Sequence, residues 1–403
     1  MMTTLDTRAA PAVPNTAADI LAAAWAIAPR LRARSAQIEE GRRLPADIVE
    51  LVRGTGAFRM GFTEEFGGPA LTSAQQTQVL EAISYGDTSA GWCAMVGMDS
   101  GLFANYLPAP AVRQMFPTLD LSSAGMLAPA GRAERVPGGY RLTGRWGFGS
   151  GIAHADWVFA GAHTYTDGEQ DRSATGTPNW RVMMVPPEQV ELLDTWYATG
   201  LAGSGSMDYT IDGVLVPEEH TFSFRAPRSR TGPLSTPDLQ MRKMPGVPLG
   251  AARAALDQVR EAARTSTDTR TGRPWADDQR VQLVLGECET RLTAVRHAVY
   301  RSLDHRWSRL EAGATQADLT AHERVDTMLA RLNAFRTARS VVRRLYDLSA
   351  ATAPHRSSSL DRWLRDLETM CQHFMAQDQI IQSAGAFLLG GNPRNPLVLG
   401  ILD

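Results

Sequence analysis

Cysteine is scarce in this 403-residue chain: Cys93, Cys288 and Cys371 are all there is, in apolar or helical settings and without metal-ligand spacing. That argues against a disulfide framework and a zinc site, and fits a reducing cytoplasm. There is no run of about 18 apolar residues to span a bilayer. The N-terminal MMTTLDTRAAPAVPNTAAD also lacks the apolar core of a signal peptide, so residues 1–16 are expected to form a short disordered lead. Neither sign of charge is in excess: 41 Lys+Arg stand against 43 Asp+Glu, a net charge of -2. No basic field draws nucleic acid or an anionic membrane, which leaves small molecules and other subunits as partners. A GxGxxG fingerprint is missing too, so no NAD(P)H site is visible. What the chain does have is 43% hydrophobic residues, ample for a sizeable core.

Residues 17–120 read as a helical domain, with AADILAAAWAIAPRLRARSAQIEEGRR, LPADIVELVRGTG and a stretch from Ser73 to Tyr106 separated by Gly and Pro. Residues 121–230 switch to short β-rich runs, among them YRLTGRWGFG, DWVFAGAH, WRVMMV and MDYTIDGVLVP. The VPGG at Val136 to Gly139 carries hairpin chemistry, and Tyr165 to Asn179 reads as a mobile polar loop. Residues 231–403 return to helices. Four long ones predict an antiparallel bundle, the last written SLDRWLRDLETMCQHFMAQDQIIQSAGAFLLG.

Trp146, Phe148 and Ser150 fall at alternate positions, so a regular strand would place an indole, a phenyl and a hydroxyl on one face. Such a shelf suits a planar heterocycle such as an isoalloxazine, with a donor near its reactive nitrogen. A packed core strand shows the same alternation. Gly203-Ser204-Gly205-Ser206 reads as a tight turn or as a backbone approach to a phosphate. Asp366, Met370 and His373 share one face of the expected last helix, yet seven residues of rise put Asp366 about 10 Å from His373, too far for a direct dyad. A lone helix histidine is more often a packing residue than an acid or base.

Helices, then a β domain, then a helical bundle, with the segments RRLPADIVELVRGTGAFRMGFTEEFGG, EAISYGDTSAGWCAMVG, GGYRLTGRWGFGSGIAHADWV, GLAGSGSMDYTIDGVLVPEEH and LRDLETMCQHFMAQDQIIQSAGAFLLGG in that order, resembles the acyl-CoA dehydrogenase superfamily. Within it the chain is similar to the reduced-flavin-dependent monooxygenases of two-component systems. The resemblance implies an acyl-CoA dehydrogenase-like fold: an N-terminal α-helical domain, a central β-barrel or sandwich and a C-terminal four-helix bundle. It also implies reduced flavin (FMNH2 or FADH2) supplied by a separate NAD(P)H:flavin reductase, O2 as co-substrate, and hydroxylation of an aromatic or polycyclic molecule by a homotetramer. Trp146, Phe148, Ser150 and Gly151 match the strand against the flavin ring, where FGSG stands in place of the more usual FSSG or FSTG. Ser204 and Ser206 match the GTGS stretch that approaches the cofactor. Arg270, Arg273 and Gln282 match groups that reach a neighbouring subunit's cofactor. Arg365, Asp366 and His373 match an RDxxxxxxH pattern whose histidine lies beside the flavin as a candidate acid or base. Asp87 and Trp92 match the helix bordering the substrate pocket. Met98-Asp99-Ser100 stands where phenol-oxidising relatives place a histidine, which makes Ser100 a candidate substrate contact and puts a simple phenol in doubt. Trp157 reads as a packed strand residue and His154 as a turn-side histidine.

Three readings remain open on the sequence: a monooxygenase, including an amino-sugar N-oxygenase of the same fold, an acyl-CoA dehydrogenase-type flavoenzyme, and a non-catalytic scaffold. Dehydrogenases of this fold typically use a late glutamate as base. No acidic residue occurs from Gln379 to Gly400, which disfavours that reading.

Overall fold

The computed structural model describes residues 13–229, 232–268 and 271–401. Most of the expected lead lies outside them. Thr16 starts the first helix, α1 (Ala17–Gly41), its side chain accepting from the Asp19 amide. The stripe Ile20, Ala24, Ile27, Leu31 and Ile38 is buried at helical spacing, and α1 packs it on α3 (Ser73–Gly86). Between them runs α2 (Ala46–Arg53). The layer continues through α4 (Thr88–Gly97), α5 (Asp99–Phe103) and α6 (Ala109–Met115). Asp87 caps α4 by accepting from the Ala90 amide at 2.9 Å.

The middle layer is one eight-stranded sheet. Its strands are β1 (Ser123–Val136), β2 (Gly139–Gly149), β3 (Trp157–Thr166), β4 (Glu169–Gln170), β5 (Trp180–Val185), β6 (Glu191–Leu193), β7 (Met207–Pro217) and β8 (Thr221–Phe222). The order is β6-β7-β2-β1-β3-β5-β8, with β4 on β3. β1 and β2 form a hairpin closed at Val136 and Gly139, and Gly138 supplies the positive φ the turn requires. Alternation decides the faces: Met183 and Val185 join one cluster with Trp146 and Tyr209, while Val182 and Met184 join Phe103, Phe116 and Phe222 in another. The Tyr165 to Asn179 segment is not wholly loop. Tyr165 pairs Gln170 because Asp167 and Gly168 at positive φ turn the chain back on β3, and Arg172 pairs Pro178 around a second turn in which the Ser173 amide donates to the Thr177 carbonyl at 2.9 Å.

After α7 (Leu239–Arg242) the helical layer consists of α8 (Gly246–Thr265), α9 (Gln279–Glu311), α10 (Ala321–Ser349), α11 (Ser359–Met370) and α12 (Asp378–Leu388). The last two correct the expectation of one long C-terminal helix. The chain leaves helical geometry after Met370 and turns through Phe374–Ala376 before α12. Arg336 of α10 donates to the Ala376 carbonyl at 2.9 and 3.0 Å and pairs with Asp378 at 2.6 Å, so a cation on a neighbouring helix takes up a carbonyl that the break frees.

Candidate active site

The β2–β7 register sets the site. Trp146 pairs Tyr209 and Gly149 pairs Met207, so β2 carries one more residue than β7 between these points. That bulge cancels the alternation on which the aromatic shelf depended. Trp146 turns under the sheet, 1% exposed, stacked on Tyr209 at 5.4 Å with its indole N–H on the Gly161 carbonyl at 2.8 Å. Phe148 takes a positive φ of 63° and stands 65% exposed, its ring 6.3 Å from that of Trp196. The two rings therefore do not form one shelf, and Trp146 is a core residue.

Beyond the bulge the Gly149–Gly151 turn is fastened to the loop Leu201–Ser206. The Gly151 amide donates to the Ser204 carbonyl at 2.8 Å. The Ser204 hydroxyl donates to the Leu201 carbonyl at 2.7 Å, and the hydroxyl pairs Ser204–Ser206 and Ser150–Ser206 both lie at 2.7 Å. Each hydroxyl has one proton, so the direction is fixed. Ser204 spends its proton on Leu201, Ser206 on Ser204 and Ser150 on Ser206. Ser150 also accepts the indole N–H of Trp92 at 3.0 Å. One lone pair of Ser150 is left, so this hydroxyl can accept a hydrogen bond but has none to give, the opposite of the donor expected there.

Trp92 joins this cluster to His373, whose ring meets the indole edge-on at 5.7 Å. His373 is not on a helix. It begins the Phe374–Ala376 turn, and its Nδ1 accepts from the Met375 amide at 3.3 Å. Burial, reinforced by the charge of Arg331, pushes the imidazole down to about 4. With Nδ1 accepting, the neutral ring carries its proton on Nε2 and is a hydrogen-bond donor. Asp366 serves elsewhere: its Oδ1 accepts from the Leu201 amide at 2.6 Å, holding the start of the serine loop. Burial first, then the charges of Asp87 and Glu39, pushes its carboxyl up to about 7. Asp87 is likewise raised by burial. Arg365 binds Asp361 at 2.7 Å, the Thr199 carbonyl at 2.7 Å and Glu39. The RDxxxxxxH pattern thus performs two tasks, loop anchorage and presentation of His373.

An acyl-CoA dehydrogenase N-terminal domain matches residues 21–109, and an acyl-CoA dehydrogenase C-terminal domain matches residues 245–378. The chain is 30% identical over 370 residues to indole-3-acetate monooxygenase of Pseudomonas putida, covering 90% of this chain and 92% of that one. This chain belongs to the acyl-CoA dehydrogenase family. Within the family it is an enzyme of the flavin-dependent monooxygenase branch. Another relative is the oxygenase subunit HsaA of a flavin-dependent monooxygenase from Mycobacterium tuberculosis, 26% identical over 372 residues, 87% of this chain and 90% of that one. In structure, XiaF from Streptomyces sp., solved with FADH2 and glycerol, superposes with a TM-score of 0.83 at 25% identity over 94% of this chain and 96% of that one. The HsaA crystal structure shares the fold with a TM-score of 0.84 at 21% identity, covering 95% of this chain and 100% of that one.

In this flavin-dependent monooxygenase Ser100 is buried, its hydroxyl 3.4 Å from the Gly97 carbonyl, one residue past Asp99, which pairs with Lys243. Arg270 lies outside the described residues. Arg273 and Gln282 are exposed near the start of α9, Gln282 donating to the Ala276 carbonyl at 2.8 Å, and no described hydrogen bond joins them to the Ser150 cluster. Trp157 is a packing residue, its indole N–H on the Met115 carbonyl at 2.9 Å. A groove of about 480 Å³ lined by Arg43, Leu44, Val49, Arg53 and His154 excludes Ser150, Trp92 and His373. The hydrogen-bonded cluster of Ser150, Trp92 and His373 and this groove are therefore separate places. Sequence reasoning missed Trp196, Phe374 and Arg331. Only Trp196, four residues before the Gly200 turn, carried a local signal.

Proposed function

We propose that this enzyme is the oxygenase component of a two-component system, using FMNH2 or FADH2 from a separate NAD(P)H:flavin reductase and O2 to hydroxylate an aromatic or polycyclic small molecule. The observation that carries this reading is the one lone pair left on Ser150. A reduced flavin bears a hydrogen on N5 and an oxidised flavin does not, so an acceptor-only hydroxyl favours the reduced form. The residues fit such a ring: Phe148, Trp196 and Phe374 offer aromatic surface around a buried polar edge, and Phe148 and Phe374 are exposed with no core to fill. When bound, the reduced flavin supplies two electrons and the place where O2 is activated.

In this reading Phe148 covers the ring and excludes water, Ser150 accepts at N5, and Trp92 holds Ser150 in register with His373. Gly151, Ser204 and Ser206 set the turn against which the cofactor edge rests. Neutral His373 donates through Nε2 to an oxygen between flavin and substrate. Trp92 and Ser100 border the acceptor's side of the cleft. The Pseudomonas putida relative is named for indole-3-acetate, an aromatic compound, and an aromatic acceptor suits walls of Trp, Phe and Met. We further propose a homotetramer, in which Arg270, Arg273 and Gln282 reach a neighbouring copy. Exposed Leu283, Ile381 and Leu389 supply apolar surface for it. Three buried thiols, all unpaired, suit the cytoplasm.

Anaerobic titration tests the central claim. Reduced flavin should bind more tightly than oxidised flavin, and Ser150→Ala should shrink that preference by about tenfold. Oxygen gain by an aromatic compound, read by product mass, should require added reductase. Fast NADPH oxidation by this chain and flavin alone would overturn the two-component assignment.

A further inference from the structure

Around Arg331, whose charge acts on His373, α5, α7, α9 and α10 bring together more positive charge than their carboxylates neutralise. Asp238 is shared by Arg242, at 2.9 and 3.1 Å, and Arg306, at 3.1 Å. Asp99 pairs with Lys243. Arg331 of α10 forms no ion pair among the described residues, although the charge of Asp238, already shared by two arginines, reaches it. It is 1% exposed, and its Nη1 reaches only the Met241 carbonyl at 3.4 Å. Its Nε and Nη2 donate to no described residue. Four buried cations therefore face two buried carboxylates. A buried guanidinium with idle donors is costly to keep, and native proteins rarely keep one without a partner.

The placement gives the partner's chemistry. Phe335, one turn beyond Arg331, takes the Cys371 thiol on its carbonyl at 3.6 Å, so Arg331 lies directly before the turn that presents His373. Trp92 meets the His373 ring edge-on, and Asp99 follows Trp92 by two turns on α4 and α5. With Nη1 occupied, Nε and Nη2 remain, the side-on pair of the guanidinium fork that receives both oxygens of a carboxylate.

We propose that Arg331 anchors the carboxylate of an aromatic acid substrate, holding its ring against the edge-on pair of Trp92 and His373. The proposal rests on the oxygenase reading above and names the substrate class within it. The anion replaces the missing partner of Arg331, and the depth of the guanidinium orients the ring toward the flavin edge at Ser150. An uncharged analogue leaves the fork unpaired and binds weakly for that reason.

The test is anaerobic calorimetry with reduced flavin bound, on matched probes with and without the carboxylate: indole-3-acetate against 3-methylindole, and 4-hydroxybenzoate against 4-methylphenol. The wild-type protein should prefer the acid of at least one pair by on the order of 10²-fold. Arg331→Met should erase that preference while leaving the uncharged probe, reduced flavin affinity and the melting temperature intact or improved, since an apolar side chain of similar volume removes an unpaired charge. Arg331→Lys, which keeps charge but loses the fork, should retain a fraction of the preference. Equal binding of acid and neutral probe in both pairs overturns the proposal, as does a folded Arg331→Met with undiminished preference. Loss of reduced-flavin affinity in Arg331→Met, with acid binding unchanged, assigns the anion to a cofactor phosphate and also overturns it. Product mass separates the two claims: an acid held through Arg331 but never oxygenated refutes the oxygenase reading alone, and oxygenation without any acid preference refutes the anchor alone.

Discussion

Phe148 combines a left-handed backbone with an exposed ring, two costs at one position. A bulky residue at positive φ is strained by on the order of 1 kcal/mol and persists where function requires it. Phe148→Gly should therefore raise the melting temperature while weakening reduced-flavin binding. A variant that gains stability and keeps full flavin affinity would show that the ring has no part in the site. His373 separates in a similar way into two nitrogens with two jobs. Asparagine reproduces the Nδ1 acceptor that meets the Met375 amide, and glutamine can extend a donor toward the position of Nε2–H. His373→Asn should keep its melting temperature but divert reducing equivalents to hydrogen peroxide, with substrate oxygenation falling about 10²-fold. His373→Gln should hold more of the coupling and less of the stability. An unchanged ratio of product to peroxide in folded His373→Asn would remove the ring from the chemistry. Because the folded imidazole titrates near 4 rather than its ordinary value, the stability it gives is full above about pH 6.5 and is lost as the pH falls toward 4.

At the scale of elements the decisive contact is α11 against the serine loop. Asp366 holds the Leu201 amide, and Gly200 passes so close to α11 that a Cβ would fall 2.0 Å from the Arg365 carbonyl. With its folded carboxyl raised to about 7, Asp366 keeps its proton on folding. Its contribution therefore runs opposite to that of a salt-bridged acid: stability falls as the pH rises from about 4 through 7. Asp366→Asn keeps an oxygen for the Leu201 amide and removes the titration. Its melting temperature should be flatter across that window and higher than wild type at pH 8 by roughly 3 °C. A parallel pH profile in the two proteins would place the titrating group elsewhere. These elements were partly legible. The hairpin at Val136–Gly139 was readable because its turn chemistry is local. The β2 bulge was not, because it depends on the register β7 imposes from sixty residues away. The break after Met370 escaped for the same reason: it has no Gly or Pro, and its support is Arg336 on another helix.

Across the whole molecule, part of the exposed apolar surface lies on the helical layer. Leu283 on α9 and Leu389 after α12 are exposed. A homotetramer should bury them, and light scattering should give four copies. Leu283→Glu should then shift the protein toward smaller species and lower its flavin affinity, because Gln282 is its direct neighbour on the chain. A monomer that binds reduced flavin at full strength would refute the shared site. The sequence by itself determined the order of layers and the flavin-dependent class, since each rests on local periodicity or on segments in a fixed order. Tertiary structure alone decided which atoms face one another. It put Trp146 under the sheet and Phe148 outside it, turned Ser150 from donor to acceptor through a chain of three hydroxyls, and left Arg331 without an ion pair among the described residues. Hydrogen-bond direction and charge balance are sums over neighbours distant in sequence, and only the packed fold makes them neighbours.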